Sequence, residues 1–265
     1  MCATCGCTDD LGELGDLGQP GEPDLPGHDH GHEHDHDHDH EYPHDDGRTV
    51  TLQQKILAKN DDLAQRNREW LRERGILAIN LMSSPGSGKT TLLERTSEDL
   101  AGKLALSVIE GDQETDLDAD RIRSAGCEVV QINTGAGCHL DAAMVARALR
   151  TLNPPAGSAV LIENVGNLVC PALFDLGETA RVVLASVTEG TDKPLKYPHM
   201  FRSADLVVIT KTDLGPYVNF DAGRFGACVG QVSPRAMTIS LSAVTGSGMA
   251  SWSGWLTSMV PGPAH

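Results

Sequence analysis

Several groups of residues in this chain have the types and spacing to do chemistry. Ser83-Ser84-Pro85-Gly86-Ser87-Gly88-Lys89-Thr90 has two glycines that let backbone N–H groups close around phosphates. Lys89 can reach β- and γ-phosphates and Thr90 can offer its hydroxyl to Mg2+, with Ser87 and Thr91 as further nucleotide contacts. The strict pattern has Gly where Ser83 stands. Cys2, Cys5 and Cys7 gather three thiols around Gly6, a set suited to a thiophilic divalent ion. His28, His30, His32, His34, His36, His38 and His40 recur at every second position among Asp, Glu and Gly, and offer nickel or zinc many weak donors. Cys138-His139 and Cys170-Pro171 supply a further set of soft ligands in the body of the chain, whereas Cys127 and Cys228 read as small core residues. Each has a plain counterpart: a glycine-rich turn, free thiols at a chain end, a solvated polar linker.

These residues need elements to position them. Apolar runs at Ile76–Met82, Leu104–Glu110, Glu128–Asn133, Ala159–Glu163, Val182–Val187, Leu206–Thr210 and Met237–Leu241 read as strands buried on both faces. Helical stretches such as Lys89–Ala101, Leu140–Leu152 and Phe220–Gln231 lie between them. The alternation predicts an α/β fold with a mostly parallel, doubly wound sheet. A further helix over Val50–Arg74 would carry a loose apolar stripe of Leu52, Ile56, Leu63, Trp70 and Leu71.

In that frame the phosphate loop follows a strand and opens a helix, as phosphate binding requires. Asp112 ends the second strand, and Glu163-Asn164-Val165-Gly166 ends the fourth in the place of a D-x-x-G motif. Thr210-Lys211-Thr212-Asp213 follows the sixth like a base-reading [NT]-K-x-D motif, and Ser242-Ala243 follows the seventh. A carboxylate at Asp213 can accept from both N1–H and the 2-amino group of guanine, and adenine has no such donor pair. The four motifs in this order predict GTP rather than ATP.

The 265 residues carry a net charge of −16, but residues 1–47 hold 14 acids and no Lys or Arg, leaving 23 acids against 21 bases in the remainder. Residues 1–47 therefore read as a disordered Cys/His-rich metal-binding tail, and 48–265 as a GTPase domain with its own N-terminal helix. An acidic tail repels nucleic acid and anionic lipid, so neither is expected as a partner. No apolar run is long enough for a membrane span and the first residues lack a signal-peptide pattern, so a cytoplasmic location is expected. Seven cysteines in such a chain favour thiolate ligands or free thiols over a disulfide framework.

Cys2-x-x-Cys5-x-Cys7, the His tract, the phosphate loop and Glu163-Asn164-Val165-Gly166-Asn167-Leu168-Val169-Cys170-Pro171 together resemble the hydrogenase nickel-incorporation GTPase (HypB) family. The resemblance covers residues 1–7 and about 50–258. It accounts for Ser83 and Glu163 as the family's own variants; Thr210 replaces the commoner Asn, which implies a weaker anchor for the loop. It implies slow GTP hydrolysis with Mg2+, a homodimer favoured by GTP, a HypA-type nickel-binding partner, and delivery of Ni2+ to the hydrogenase large-subunit precursor. By resemblance, Lys89, Asp112 and Glu163 form the catalytic set, Cys2, Cys5 and Cys7 a tight nickel site, and Cys138, His139 and Cys170 a site for zinc or nickel. Two other readings stand beside it. A urease-directed GTPase would carry Cys-Pro-His, where this chain has Ala172 after Cys170-Pro171; a storage protein would hold metal with a vestigial nucleotide site.

Overall fold

The computed structural model describes residues 46–112, 117–135 and 137–261, with side chains from residue 54 onward. Cys2, Cys5, Cys7 and His28 to His40 lie outside the described residues.

The long helix α1 (Asp46–Glu73) precedes a regular alternation: β1 (Leu77–Ser83), α2 (Lys89–Leu100), β2 (Leu106–Asp112), α3 (Leu117–Ser124), β3 (Glu128–Asn133) and α4 (Ala142–Leu152). Then follow β4 (Ala159–Glu163), α5 (Cys170–Leu173), β5 (Ala180–Ser186), α6 (Lys193–Lys196), α7 (Pro198–Arg202) and β6 (Leu206–Thr210). The last elements are α8 (Ala222–Val232), β7 (Met237–Ser240) and α9 (Met249–Met259). All seven strands pair in parallel, in the order β3-β2-β4-β1-β5-β6-β7. The fold class is the expected doubly wound α/β sheet; element ends shift by a few residues, as with β2, which ends at Asp112 rather than Glu110.

Alternation along β1 divides the core. Leu77, Ile79 and Leu81 face a layer that includes Leu92 and Leu93 of α2 and Trp252 and Leu256 of α9. Ala78 lies on the other side with Leu71 of α1 and Val145 and Leu149 of α4. Met82 joins the layer built from Met200, Phe201, Phe225 and Val229. Every residue of β1 and β4 is buried, Asn80, Ser83 and Glu163 included, which is why both read as mostly apolar runs without alternation. Trp252 is anchored by its indole N–H, which donates to Thr96 Oγ1 at 2.8 Å.

The inward face of α1 differs from the expected stripe. Ile56 is 51% exposed, Leu63 and Trp70 are half-buried, and of that set Leu71 is buried. The buried positions are Asn60, Ala64, Asn67 and Leu71, spaced four, three and four apart on one helical face. The helix crosses loop ends whose backbone groups need partners, so amides stand where leucines were expected.

Candidate nucleotide and metal sites

The parallel register brings the carboxyl ends of the strands level: Glu163 of β4 pairs with Leu81 of β1 on one side and Glu110 of β2 on the other. The phosphate loop leaves β1 at this edge, where the direction of strand addition reverses and open α/β sheets hold their ligands. Gly88 caps α2 with φ +95°, a conformation that glycine adopts without strain, and so aims the loop's N–H groups at the cleft.

Lys89 lies 8% exposed, its Nζ donating to Ser83 Oγ at 3.1 Å, and burial lowers its pKa from the usual lysine value. Thr90 Oγ1 donates to Glu163 Oε1 at 3.0 Å. Burial pushes the Glu163 carboxyl up to about 7, against the opposing pull of Lys89 and Thr90. Glu163 Oε2 is buried and has no hydrogen-bond partner among the described residues. With Asp112 on the same wall this is a hard oxygen donor set, and it fits Mg2+. Lys89, Thr90, Asp112 and Glu163 all line one cleft of about 450 Å³. Gly166 closes it: a Cβ there would meet Pro85 Cα at 3.0 Å, so any larger residue would push the segment after β4 away from the phosphate loop by a few tenths of an ångström.

A second cavity of about 230 Å³ shares Gly88, Thr91 and Lys211 with the first. It holds Asp213, Ser242 and Ala243 between Leu214, Leu241 and Val244. Asp213 Oδ1 is buried there with no hydrogen-bond partner among the described residues, the acceptor that a guanine N1–H and 2-amino pair would need. Lys211 adopts φ +57° and stretches over the loop to Gly86 O at 2.7 Å. Thr210 Oγ1 donates to Ser87 O at 2.7 Å, so the threonine anchors the phosphate loop directly.

Sequence reasoning missed Glu189 and Lys193. The Glu189 carboxylate accepts from Ser84 Oγ at 2.7 Å, contacts the Ser87 hydroxyl and pairs with Lys193, whose Nζ also donates to Ser84 Oγ at 2.7 Å. Lys193 is 4% exposed, and burial, reinforced by the positive charge of Lys89, lowers its pKa to about 8. The available signal was a Glu and a Lys four apart just beyond a strand that neighbours β1.

The third grouping lies where β3 and β4 end. Cys138, His139 and Cys170 bring their ligand atoms within 4.8 Å of one another. Cys170 is buried, Cys138 and His139 half-buried, and Cys138 Sγ lies 3.6 Å from His139 Nδ1. Burial lowers the pKa of His139 despite Asp141 nearby, which favours the neutral imidazole that binds metal. Two thiols and one imidazole suit nickel or zinc and leave a coordination position open. Cys127, by contrast, is buried and hydrogen-bonded to Leu106 O, with its thiol pushed up to about 11 by burial.

Fold and cleft together define a P-loop nucleotide-binding protein, with Cys138, His139 and Cys170 gathered at the far end of the loop that follows Glu163. The CobW/HypB/UreG nucleotide-binding-domain family matches residues 77–240. Hydrogenase maturation factor HypB of Rhizobium leguminosarum bv. viciae is 54% identical over 209 residues, 79% of this chain and 70% of that protein. The hydrogenase/urease maturation factor HypB of Helicobacter pylori is 42% identical over 200 residues, 74% of this chain and 82% of that one. The crystal structure of HypB from Archaeoglobus fulgidus superposes with TM-score 0.73 at 43% identity, covering 77% of this chain and 100% of that one. HypB from Helicobacter pylori in complex with nickel gives 0.72 at 36% identity, covering 78% and 99%. The chain belongs to the HypB family of hydrogenase maturation factors, a branch of the P-loop GTPases. Among the described residues no helix is long and apolar enough to cross a membrane.

Proposed function

We propose that this chain is a nickel metallochaperone that hydrolyses GTP slowly and uses the nucleotide state to govern a metal site. In this reading the Ser83–Thr90 loop cradles the phosphates, Lys89 offsets their charge, and Asp213, backed by Ser242 and Ala243, reads guanine. Mg2+ held at Thr90 would neutralise charge on the β- and γ-phosphate oxygens. Asp112 and Glu163 orient water for attack on the γ-phosphorus; the bond to the β–γ bridging oxygen breaks, leaving GDP and phosphate. No glutamine stands in a catalytic position recognisable from its motif, which supports a slow basal rate. Cys138, His139 and Cys170 hold nickel or zinc. Cys2, Cys5 and Cys7 form the tighter nickel site, with the His tract as a reservoir.

The observation that carries this reading is the reach of one short segment. Glu163 faces the nucleotide cleft, and seven residues later Cys170 enters the metal cluster, so a change at the γ-phosphate moves a metal ligand. The nickel complex of the Helicobacter pylori relative supports nickel as cargo. Partners of this reading are a second copy of the chain favoured by GTP, a HypA-type nickel protein, and the hydrogenase large-subunit precursor, all in the cytoplasm. The hydrogenase/urease name of the Helicobacter pylori relative favours one second reading, service to both enzymes. A deletion strain that loses hydrogenase activity alone, with recovery on added nickel, excludes it; loss of both activities supports it.

The direct test uses the full chain with Cys2, Cys5 and Cys7 changed to Ser, and measures Ni2+ affinity by chelator competition with GDP and with a non-hydrolysable GTP analogue. The expected difference is about 5- to 150-fold, absent in Cys138→Ala. Equal affinities would mean that the metal site and the nucleotide switch are independent.

A further inference from the structure

Helix α1 is the part of the fold that neither the nucleotide cleft nor the metal cluster explains. Its buried face presents two asparagines, 6% and 5% exposed, where docking by apolar burial alone would use leucines. Both ends of Asn60 are used: Oδ1 accepts from Ala142 N at 2.9 Å and Nδ2 donates to Asp175 O at 2.7 Å. Asn67 Nδ2 donates to Ala142 O at 2.9 Å and to Leu176 O at 3.0 Å. All four bonds therefore go to two short stretches. Ala142 opens α4 three residues after His139, and Asp175 follows Cys170 by five.

We propose that Asn60 and Asn67 are positioning residues for the Cys138–His139–Cys170 metal site, bracing its two ligand-bearing arms against one helix so that the three ligand atoms converge. The inference rests on the metal reading above. Three further observations belong to the same brace. Phe174, beside Asp175, stacks on the His139 ring with centroids 3.9 Å apart, so fixing Asp175 also fixes the imidazole. Arg68 pairs with Asp175 through one guanidinium nitrogen, Nη2, which lies 2.7 Å from each carboxylate oxygen. Gly177, at φ +86°, lies so close to α1 that a Cβ would fall 2.6 Å from Asn67 Cβ and 2.9 Å from Arg68 N. A buried amide with both ends bonded tolerates little displacement, because each broken bond leaves a desolvated polar group. Groups that orient metal ligands without touching the metal commonly control affinity strongly.

The test uses the full chain with Cys2, Cys5 and Cys7 changed to Ser, titrated with Ni2+ while the near-ultraviolet thiolate-to-nickel charge-transfer band is recorded. Asn60→Ala and Asn60→Ala/Asn67→Ala should bind about 10- to 100-fold more weakly and shift or weaken the band, with GDP affinity unchanged. Asn60→Asp keeps the acceptor for Ala142 N–H but turns an oxygen toward the Asp175 carbonyl. It should lose affinity too, and it decides the matter if the alanine variants do not fold. Parental nickel affinity and band in the folded variants would overturn the brace, as would a loss of GDP affinity in the same proportion. Cys138→Ala separates the two readings: if it leaves the band intact, the metal assignment itself fails. If it abolishes the band while the asparagine variants keep it, only the brace fails.

Discussion

In the proposed reading, Asp213 is the residue that selects the base. Its buried Oδ1 has no partner among the described residues, and leaving such an acceptor unmet costs about 1–3 kcal/mol. Asp213→Asn replaces that acceptor with a donor, which suits the 2-oxo group of xanthine. The expected outcome of competition binding is a swing from GDP toward XDP of about 10- to 100-fold or more; retained guanine preference would place base recognition elsewhere. The Glu189–Lys193 pair makes a sharper case, because each charge is tolerable only beside the other. Lys193→Ala leaves a carboxylate against Ser84 and Ser87 of the phosphate loop without its counter-charge. It should cost about 3 kcal/mol of stability and weaken nucleotide binding. The double variant Glu189→Ala/Lys193→Ala should recover much of both, and simple additivity in thermal unfolding and GDP titration would show the pair to be uncoupled.

At the scale of elements, the phosphate loop is held from outside itself. Thr210, at the end of β6, ties Ser87 O, and Lys211 ties Gly86 O, so the strand two places from β1 sets the shape of the loop. Thr210→Val keeps the side-chain shape and removes one bond to a buried carbonyl. A stability loss of about 1–3 kcal/mol is expected, with weaker GDP binding and no change in base preference. Unchanged unfolding temperature and affinity would show that Lys211 alone suffices. Helix α1 teaches the complementary point: its periodicity is helical, but its inward face combines apolar burial at Ala64 and Leu71 with hydrogen bonding from Asn60 and Asn67.

For the whole molecule, the two cargoes are expected to be linked. If nucleotide state alters nickel affinity at Cys138/His139/Cys170, nickel must alter nucleotide affinity by the same factor, because both close one thermodynamic cycle. Titrating the GTP analogue with and without Ni2+ gives that factor independently, and a mismatch would reveal metal bound at another site. Removing residues 1–47 should strip most of the bound nickel while GTP turnover is retained. Loss of turnover would mean that the tail is part of the catalytic unit, and loss of nearly all metal capacity from a chain that shows no GTP turnover even at full length would favour storage.

Much of this was legible in the sequence because it is local or periodic. Seven apolar runs with helices between them specify a parallel, two-faced sheet, since strands buried on both sides have no polar alternation to show. The phosphate loop, Asp112, Glu163 and Asp213 were visible because each sits at a strand end, where chain direction places it at the ligand edge. Strand order was not legible, since any of several orders buries the same residues. Nor was the use of Thr210 as the loop's anchor, which depends on β6 lying two strands from β1. The i,i+4 spacing of Glu189 and Lys193 was visible but not their place against Ser84 and Ser87, and the burial of Asn60 and Asn67 was not visible, for one shared reason. A buried polar residue is stable only when its partners arrive from distant parts of the chain, and that meeting is decided by the tertiary structure alone.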